Sequence, residues 1–419
     1  MHDFHYRGEE LYCEEVPVAQ VARRVGTPFY LYSARTLARH VRAFQEAFAA
    51  RPHLLCFAVK ANGNLAVLHL LGRLGTGADI VSGGELHRAL MAGIPPERIV
   101  YSGVGKTARE IRRALEAGIL LFNVESLPEL DAIAAEARRA GRTARVAFRV
   151  NPDVDPKTHP YISTGLERNK FGIPMAQARE AYARAARLPG IEVAGVDCHI
   201  GSQLTELAPF VDALRRVKAL VEELAADGHE IRYLDLGGGL GIPYRDEAPP
   251  APADYARAIL AELEGWPQTL VLEPGRAIAG NAGILVTRLL YTKETPRKRF
   301  LVVDAAMNDL ARPSLYQAHH EILPVRRAGP PVGPADVVGP ICESGDFLAR
   351  DRDLPRFPRR ALLAVMSAGA YGFTMSSNYN ARPRVPEVLV RGERFAVVRR
   401  RETLAQLVRG ESIPGFLAE

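Results

Sequence analysis

The chain has little lysine: seven residues, against 47 arginines. Cysteine is rarer still. The four, Cys13, Cys56, Cys198 and Cys342, are far apart and form no CxxC pair, which argues against structural zinc, and no metal site is expected. The first residues, Met1-His2-Asp3-Phe4-His5-Tyr6-Arg7, lack the apolar core of a signal peptide. That start points to the cytoplasm, a reducing compartment where disulfides are not expected. No apolar run approaches the roughly 20 residues that span a bilayer, so no membrane association is expected. The formal net charge of +6 comes from arginines scattered among acidic residues. Without a basic block or interleaved aromatics, nucleic acid is not an expected partner. At 419 residues the chain exceeds one small core, and two domains are the natural reading.

What is present is alternation. Short apolar runs recur at Leu54–Val59, Asp79–Val81, Ile99–Tyr101, Ile119–Val124, Arg145–Val150, Val193–His199, Ile231–Leu236 and Thr269–Glu273. Between them lie alanine-, leucine- and arginine-rich stretches with helical spacing, such as Thr107–Ala117, Ser126–Ala140 and Leu207–Ala226. Ser126 with Glu129 three residues on predicts a capping box. Strand alternating with helix implies parallel pairing, and eight such units are the number that closes a (β/α)8 barrel. A doubly wound open sheet is the rival. After Gly280 helical periodicity fades. Ile284–Tyr291, Arg299–Val303, Ala361–Ser367, Glu387–Val390 and Arg394–Arg399 read as strands of a mostly antiparallel β domain, with a proline-rich loop around Pro330–Pro340. Glu10–Cys13 and Pro28–Tyr32 are β-like pieces before the first helix that could join this sheet. The expected division is a barrel over 30–280 and a β domain over 281–419 together with 1–29.

A barrel enzyme works at the C-terminal ends of its strands. Lys60 follows the first run. Held at the end of a buried strand it would lose hydration, which disfavours the ammonium and frees a nucleophilic amine suited to a Schiff base. A lysine simply capping a strand is the plain alternative. His199-Ile200-Gly201-Ser202-Gln203 follow the sixth run, Gly237-Gly238-Gly239 the seventh, and Glu273-Pro274-Gly275-Arg276 the eighth. The last two fall where barrels commonly bind phosphate, and glycines let backbone N–H groups approach an anion. Tight turns would need glycines too. Glu273 could hold a pyridine nitrogen protonated or merely pair with Arg276, and His199 has a plane suited to stacking on a ring. Together these are the parts of a pyridoxal phosphate site.

The same stretches carry a resemblance. Ala58-Val59-Lys60-Ala61-Asn62, His199–Gln203, the glycines, Glu273–Arg276 and Cys342-Glu343-Ser344-Gly345-Asp346 resemble the alanine-racemase-fold pyridoxal phosphate decarboxylases. Within that group they are most similar to the branch acting on meso-diaminopimelate. Arg149-Val150-Asn151-Pro152, Thr164-Gly165-Leu166 through Lys170-Phe171-Gly172, and Asp304–Asp309 running to Arg312-Pro313-Ser314-Leu315-Tyr316 extend the match along nearly the whole chain. The resemblance implies a barrel plus β domain, pyridoxal 5'-phosphate as cofactor, and a homodimer with shared active sites. Lys60 would carry the cofactor, His199 would stack on it, and Glu273 would bind its nitrogen. Gly238, Gly239, Gly275 and Arg276 would surround the phosphate, with Ser202 a further contact and Tyr371 reaching it from the partner chain. Arg276, Arg312, Tyr316, Glu343 and Tyr371 would hold a diamino dicarboxylate substrate, and Cys342 would be the proton donor.

The residue chemistry agrees with that reading. A thiol, with a free pKa of about 8.5, is a reasonable acid near neutrality. An ordinary buried cysteine is the reading kept for Cys13, Cys56 and Cys198. Arginine forks suit a retained carboxylate, and Glu343 suits an ammonium. Decarboxylases of the same fold acting on ornithine, lysine, arginine or carboxynorspermidine are the alternative. Ornithine decarboxylases, however, place aspartate where Glu343 stands. A racemase would want a tyrosine base, and a non-catalytic cofactor carrier would leave the residues after Gly280 unexplained.

Overall fold

Apolar β-branched and aromatic runs set the first architecture. His53–Ala58, Gly77–Ile80, Ile99–Tyr101, Leu121–Val124, Ala144–Asn151, Ile191–Asp197, Tyr233–Asp235 and Thr269–Leu272 are strands, each paired in parallel with the next. The last pairs with the first, Leu270 opposite His53, so the ring closes into the expected (β/α)8 barrel. This computed structural model describes residues 2–154 and 169–417. Two compact units divide the chain, Thr36–Gly280 and Met1–Arg35 with Asn281–Glu419. Among the described residues no helix is long and apolar enough to cross a membrane.

Inside the barrel, Leu54, Cys56, Val100, Leu121, Ala147, Ala194 and Val271 pack into one cluster. Gly195 lies in this wall because a Cβ there would come within 2.8 Å of the Tyr233 carbonyl oxygen. The connecting helices include Ala108–Ala117, Leu127–Ala140 and Ala208–Ala226. The capping box expected at Ser126 is only half formed. Ser126 accepts from the Glu129 amide, but the Glu129 carboxylate takes the Glu125 amide at 3.0 Å and the Lys106 ammonium at 2.7 Å. A cation outcompetes the neutral amide of the cap position. The complete box is one helix earlier, between Thr107 and Glu110.

The second unit is built on one long strand, Gly283–Glu294, which pairs antiparallel with Phe29–Ser33, Arg299–Val303 and Leu362–Val365. Phe29–Ser33 pairs on its other side, in parallel, with Glu387–Arg391, which turns back into Arg394–Arg399. The N-terminal piece thus does join the later sheet. Glu10–Cys13 instead forms a small separate sheet with Phe4–Arg7 and Val16–Pro17, and a helix at Val18–Val25, absent from the expectation, follows it. The proline-rich loop is corrected too: Pro334–Val338 is a strand, parallel to Arg299–Val303 and antiparallel to Phe347–Asp353. Its proline stands at the first strand position, where a missing N–H is tolerated. Val18, Phe29, Leu31, Ile284, Val286, Val388 and Val390 form the core beneath.

Lys106 shows how the barrel treats a buried cation. Its side chain is 1% exposed, and it donates to the carbonyls of Gly103 and Asn123 as well as to Glu129. Lys106→Met removes one member of a buried ion pair. It should therefore cost about 3 kcal/mol in a urea unfolding titration. A loss below about 1 kcal/mol would mean the barrel wall does not need that cation.

Candidate active site

The C-terminal strand ends gather the expected residues of the barrel and several unexpected ones. Lys60 lies in a short 3-10 turn, Val59–Ala61, directly after the first strand. Its side chain is 36% exposed, and Nζ donates to Asp79 Oδ2 at 2.5 Å. The expectation of a dehydrated amine is thus corrected. Burial is partial, and Nζ is paired with a carboxylate. Asp79 itself is fully buried, in the second strand.

Glu273 is also buried, and its Oε1 accepts from Ser102 Oγ at 3.3 Å and Asn123 Nδ2 at 3.4 Å. Asn123 donates equally to Asp235 Oδ2, at 3.0 Å. Burial, then the charges of Asp235, Asp79 and Asp197, push the Glu273 carboxyl well above the usual carboxylate range; Lys60 opposes this. Asp197 is pushed up in the same way, and Asp235 to about 6, both chiefly by burial. Glu273 therefore does not pair with Arg276 as the simpler reading had it. It sits among carboxylates.

His199 accepts at Nδ1 from the Gly238 amide, 3.1 Å away. The surrounding protein, then Arg149 and Lys60, push its pKa well below the ordinary histidine value, so the ring is neutral. Gly237 and Gly239 have φ of 62° and 112°. A Cβ on Gly238 would meet the Glu273 carbonyl oxygen at 2.3 Å, and one on Gly275 would meet Ala58 and Ala61 at 3.0 and 2.9 Å. These glycines are required by close backbone approach. Arg276 is buried; its Nη1 donates to Tyr244 Oη at 2.6 Å and its Nη2 to Ser202 Oγ at 3.1 Å.

Two quoted motifs meet here. Arg149 pairs with Glu125, donates to the His199 carbonyl and lies over the Phe171 ring, while Glu125 accepts the Gly172 amide. The Thr164-Gly165-Leu166 stretch lies outside the described residues. In the other unit, buried Arg312 donates from Nε to His320 Nε2 at 3.3 Å and lies over the Tyr316 ring. Cys342 is an exposed loop residue, and Glu343 accepts from Tyr379 Oη. Tyr371 has a left-handed backbone, φ 55°. Cys13, Cys56 and Cys198 are buried, and burial raises each thiol pKa. The sequence reading missed Asp79, Asn123, Asp235, Tyr244 and His320. The first three are lone polar residues in short apolar strands, which mark a position but not the direction the side chain takes.

Residues 34–280 match the family model described as pyridoxal-dependent decarboxylase, pyridoxal binding domain. A curated diaminopimelate decarboxylase of Pseudomonas aeruginosa is 57% identical over 413 residues, covering 99% of each chain. The chain belongs to that family. Its structure matches the Helicobacter pylori diaminopimelate decarboxylase complexed with L-lysine at a TM-score of 0.91. That pair is 44% identical over 93% of this chain and 98% of the other. The M. jannaschii enzyme in co-complex with L-lysine matches at 0.95, with 39% identity and full coverage of both chains.

Pyridoxal phosphate is the cofactor, and the residues present fit it. Asp79 Oδ1, Asn123 Oδ1 and Asp197 Oδ1 are buried acceptors without hydrogen-bond partners, an acidic lining suited to a protonated ring. The glycine edges admit no side chain, as a phosphate cradle requires.

The raised carboxyls carry a sign for stability. They hold protons more tightly folded than unfolded, so folding stability falls as pH rises from the ordinary carboxylate range through the raised values. Glu273→Gln removes one of them. In the cofactor-free protein, calorimetry at about pH 5 and about pH 8 should show a smaller Tm drop for the variant than for the parent. Parallel declines would assign the sensitivity to other groups.

Proposed function

We propose that this chain decarboxylates meso-2,6-diaminopimelate to L-lysine and carbon dioxide, the closing step of lysine biosynthesis, as a cytoplasmic homodimer with shared active sites. The observation that carries the reading is Glu273, buried among carboxylates at the barrel mouth whose Lys60 supplies a nucleophilic amine. Substrate identity rests on relatives that carry that name over nearly the whole chain.

Pyridoxal phosphate, when bound, supplies the sink for the electron pair left by departing carbon dioxide. Lys60 holds it through the amine, and Asp79 Oδ2, already bonded to Nζ, offers a base for the proton that amine must lose. Glu273 keeps a proton at the ring nitrogen. There its surroundings favour a shared proton over an isolated anion. Neutral His199, fixed by the Gly238 amide, would stack on the ring without adding positive charge. Gly238, Gly239, Gly275 and Arg276 would line the phosphate, Ser202 would act mainly by orienting Arg276, and Tyr371 would come from the partner chain.

Arg312 and Arg276 hold the retained carboxylate, Tyr316 lies along it, and Glu343 takes the distal ammonium. Cys342 delivers a proton to the α-carbon; it is the exposed thiol of four. The division of labour is the barrel unit, Thr36–Gly280, for the cofactor and the unit of Met1–Arg35 with Asn281–Glu419 for the substrate end; Phe29–Ser33 pairs within the latter, so the expected boundary at residue 30 moves to 36.

Ornithine and lysine keep the distal ammonium but lack the distal carboxylate, so Arg312 would lose its substrate partner while Glu343 would not. We expect kcat/KM for meso-diaminopimelate to exceed that for ornithine or lysine by at least about a hundredfold. Comparable values in a decarboxylation panel would overturn the substrate assignment.

Sharing of sites is testable by complementation. Lys60 and Cys342 lie in different compact units, and each site is proposed to take them from different chains. Lys60→Ala and Cys342→Ala, unfolded and refolded together, should give about half mixed dimers by random pairing. Each mixed dimer has one doubly damaged and one intact site, restoring about a quarter of wild-type activity. No recovery above the single mutants would mean that Cys342 serves its own chain.

A further inference from the structure

The loop that carries Cys342 and Glu343 is exposed, yet hydrogen bonds hold it from two sides. Asp346 turns back on it, accepting the Ile341 amide at Oδ2 and the Met307 amide at Oδ1, both at 2.7 Å. From the other side comes the 3-10 turn Tyr379–Ala381. Asn380 Oδ1 accepts the Cys342 amide at 3.0 Å, and Tyr379 Oη donates to Glu343 Oε2 at 3.0 Å. Two consecutive residues of one turn thus each hold one of two consecutive residues of the other loop.

The turn is costly to maintain. Asn380 and Ala381 both have left-handed backbones, φ 54° and 53°. Asparagine tolerates this better than alanine does, and such strain persists only where the surroundings over-determine it. Those surroundings are on hand. Asn378 donates to the Arg382 carbonyl and to Glu402, the Ser377 amide donates to the Asn308 carbonyl, and Arg382 donates to Asn308 Oδ1 and the Asp304 carbonyl. The 304–309 loop, through the Met307 amide, is the one Asp346 holds. The three loops therefore brace one another around the Cys342–Glu343 pair. An exposed tyrosine, 45% accessible, has little packing to explain its place. Its pKa is raised first by its hydrogen bond to Glu343 and then by that residue's charge.

We propose that Tyr379 and Asn380 are positioning residues for the decarboxylase. Tyr379 aims the Glu343 carboxylate at the substrate's distal ammonium, and Asn380 fixes the Cys342 backbone so that its thiol points at the reacting carbon. The inference rests on the roles given above to Cys342 and Glu343.

The test uses the full-length holoenzyme and meso-diaminopimelate. Tyr379→Phe removes only the hydroxyl. It should raise KM about tenfold and leave kcat within about twofold, as expected for an uncharged donor lost from a charged acceptor that binds substrate. Asn380→Gly keeps the left-handed backbone and removes the acceptor. It should lower kcat about tenfold with little change in KM, and Cys342 should alkylate several-fold faster with iodoacetamide. Asn380→Asp, which keeps Oδ1, should restore most of kcat. Neither loss should add to its partner's. Tyr379→Phe in a Glu343→Gln background and Asn380→Gly in a Cys342→Ala background should cost nothing further. Fully additive losses, or wild-type kinetics and alkylation in both single variants, would overturn the inference. If Glu343→Gln and Cys342→Ala themselves had wild-type kinetics, the roles beneath it would fall as well.

Discussion

Negative charge buried where water cannot reach it is the constraint on which the barrel's chemistry depends. Asp79, Asp197, Asp235 and Glu273 are each less than one-tenth exposed, and all stand at or just beyond the strand ends. Four such carboxylates cannot all ionise side by side in a low dielectric. Part of the charge is answered from within: Lys60 at Asp79, Asn123 between Asp235 and Glu273, Arg149 nearby. The remainder favours a protonated ligand. A cofactor whose ring nitrogen must stay protonated to withdraw electrons is suited to that lining. The selectivity of the site for its cofactor is thus a consequence of desolvation as much as of contacts.

The same reasoning separates two lysines that look alike in sequence. Lys106 and Lys60 both follow short apolar strands, after Tyr101 and Ala58. Lys106 is enclosed by two carbonyls and a carboxylate, and Nζ is hydrogen-bonded to all three. Lys60 remains a third exposed and pairs with Asp79 at the barrel mouth. Reactivity follows from which partners surround the nitrogen, and burial alone does not decide it. The expectation of dehydration at Lys60 does not match its partial exposure and its paired carboxylate.

What the residues disclosed beforehand divides along a physical line. The eight barrel strands were legible because a strand covered on both faces reads as an unbroken apolar run, and their ends varied by no more than two residues. Lys60, the glycine edges and Glu273 were legible because strand ends are where barrels place chemistry. Asp79, Asn123 and Asp235 were not, since one polar residue within a three- or four-residue strand has no periodicity to reveal which way it points. Tyr244 and His320 escaped because they act on Arg276 and Arg312 across loops. The parallel pairings in the β unit join strands far apart in sequence, and Pro334 disguised an edge-tolerant strand start as a loop.

His320 shows how such indirect residues work. It is fully buried, and its Nδ1 bonds the Met366 carbonyl. A carbonyl can only accept, so Nδ1 carries the hydrogen and Nε2 is left with the lone pair that receives Arg312 Nε. The tautomer is fixed by backbone, and the guanidinium plane is fixed in turn by the tautomer. A charged histidine would place two donors against one another and lose that bond. The arginine proposed to read the substrate's carboxylate is therefore oriented by a ring that must stay neutral. Neutral His199 is held in the opposite tautomer: its Nδ1 accepts the Gly238 amide, so Nε2 carries the hydrogen, and in each unit a backbone group assigns the proton of a histidine.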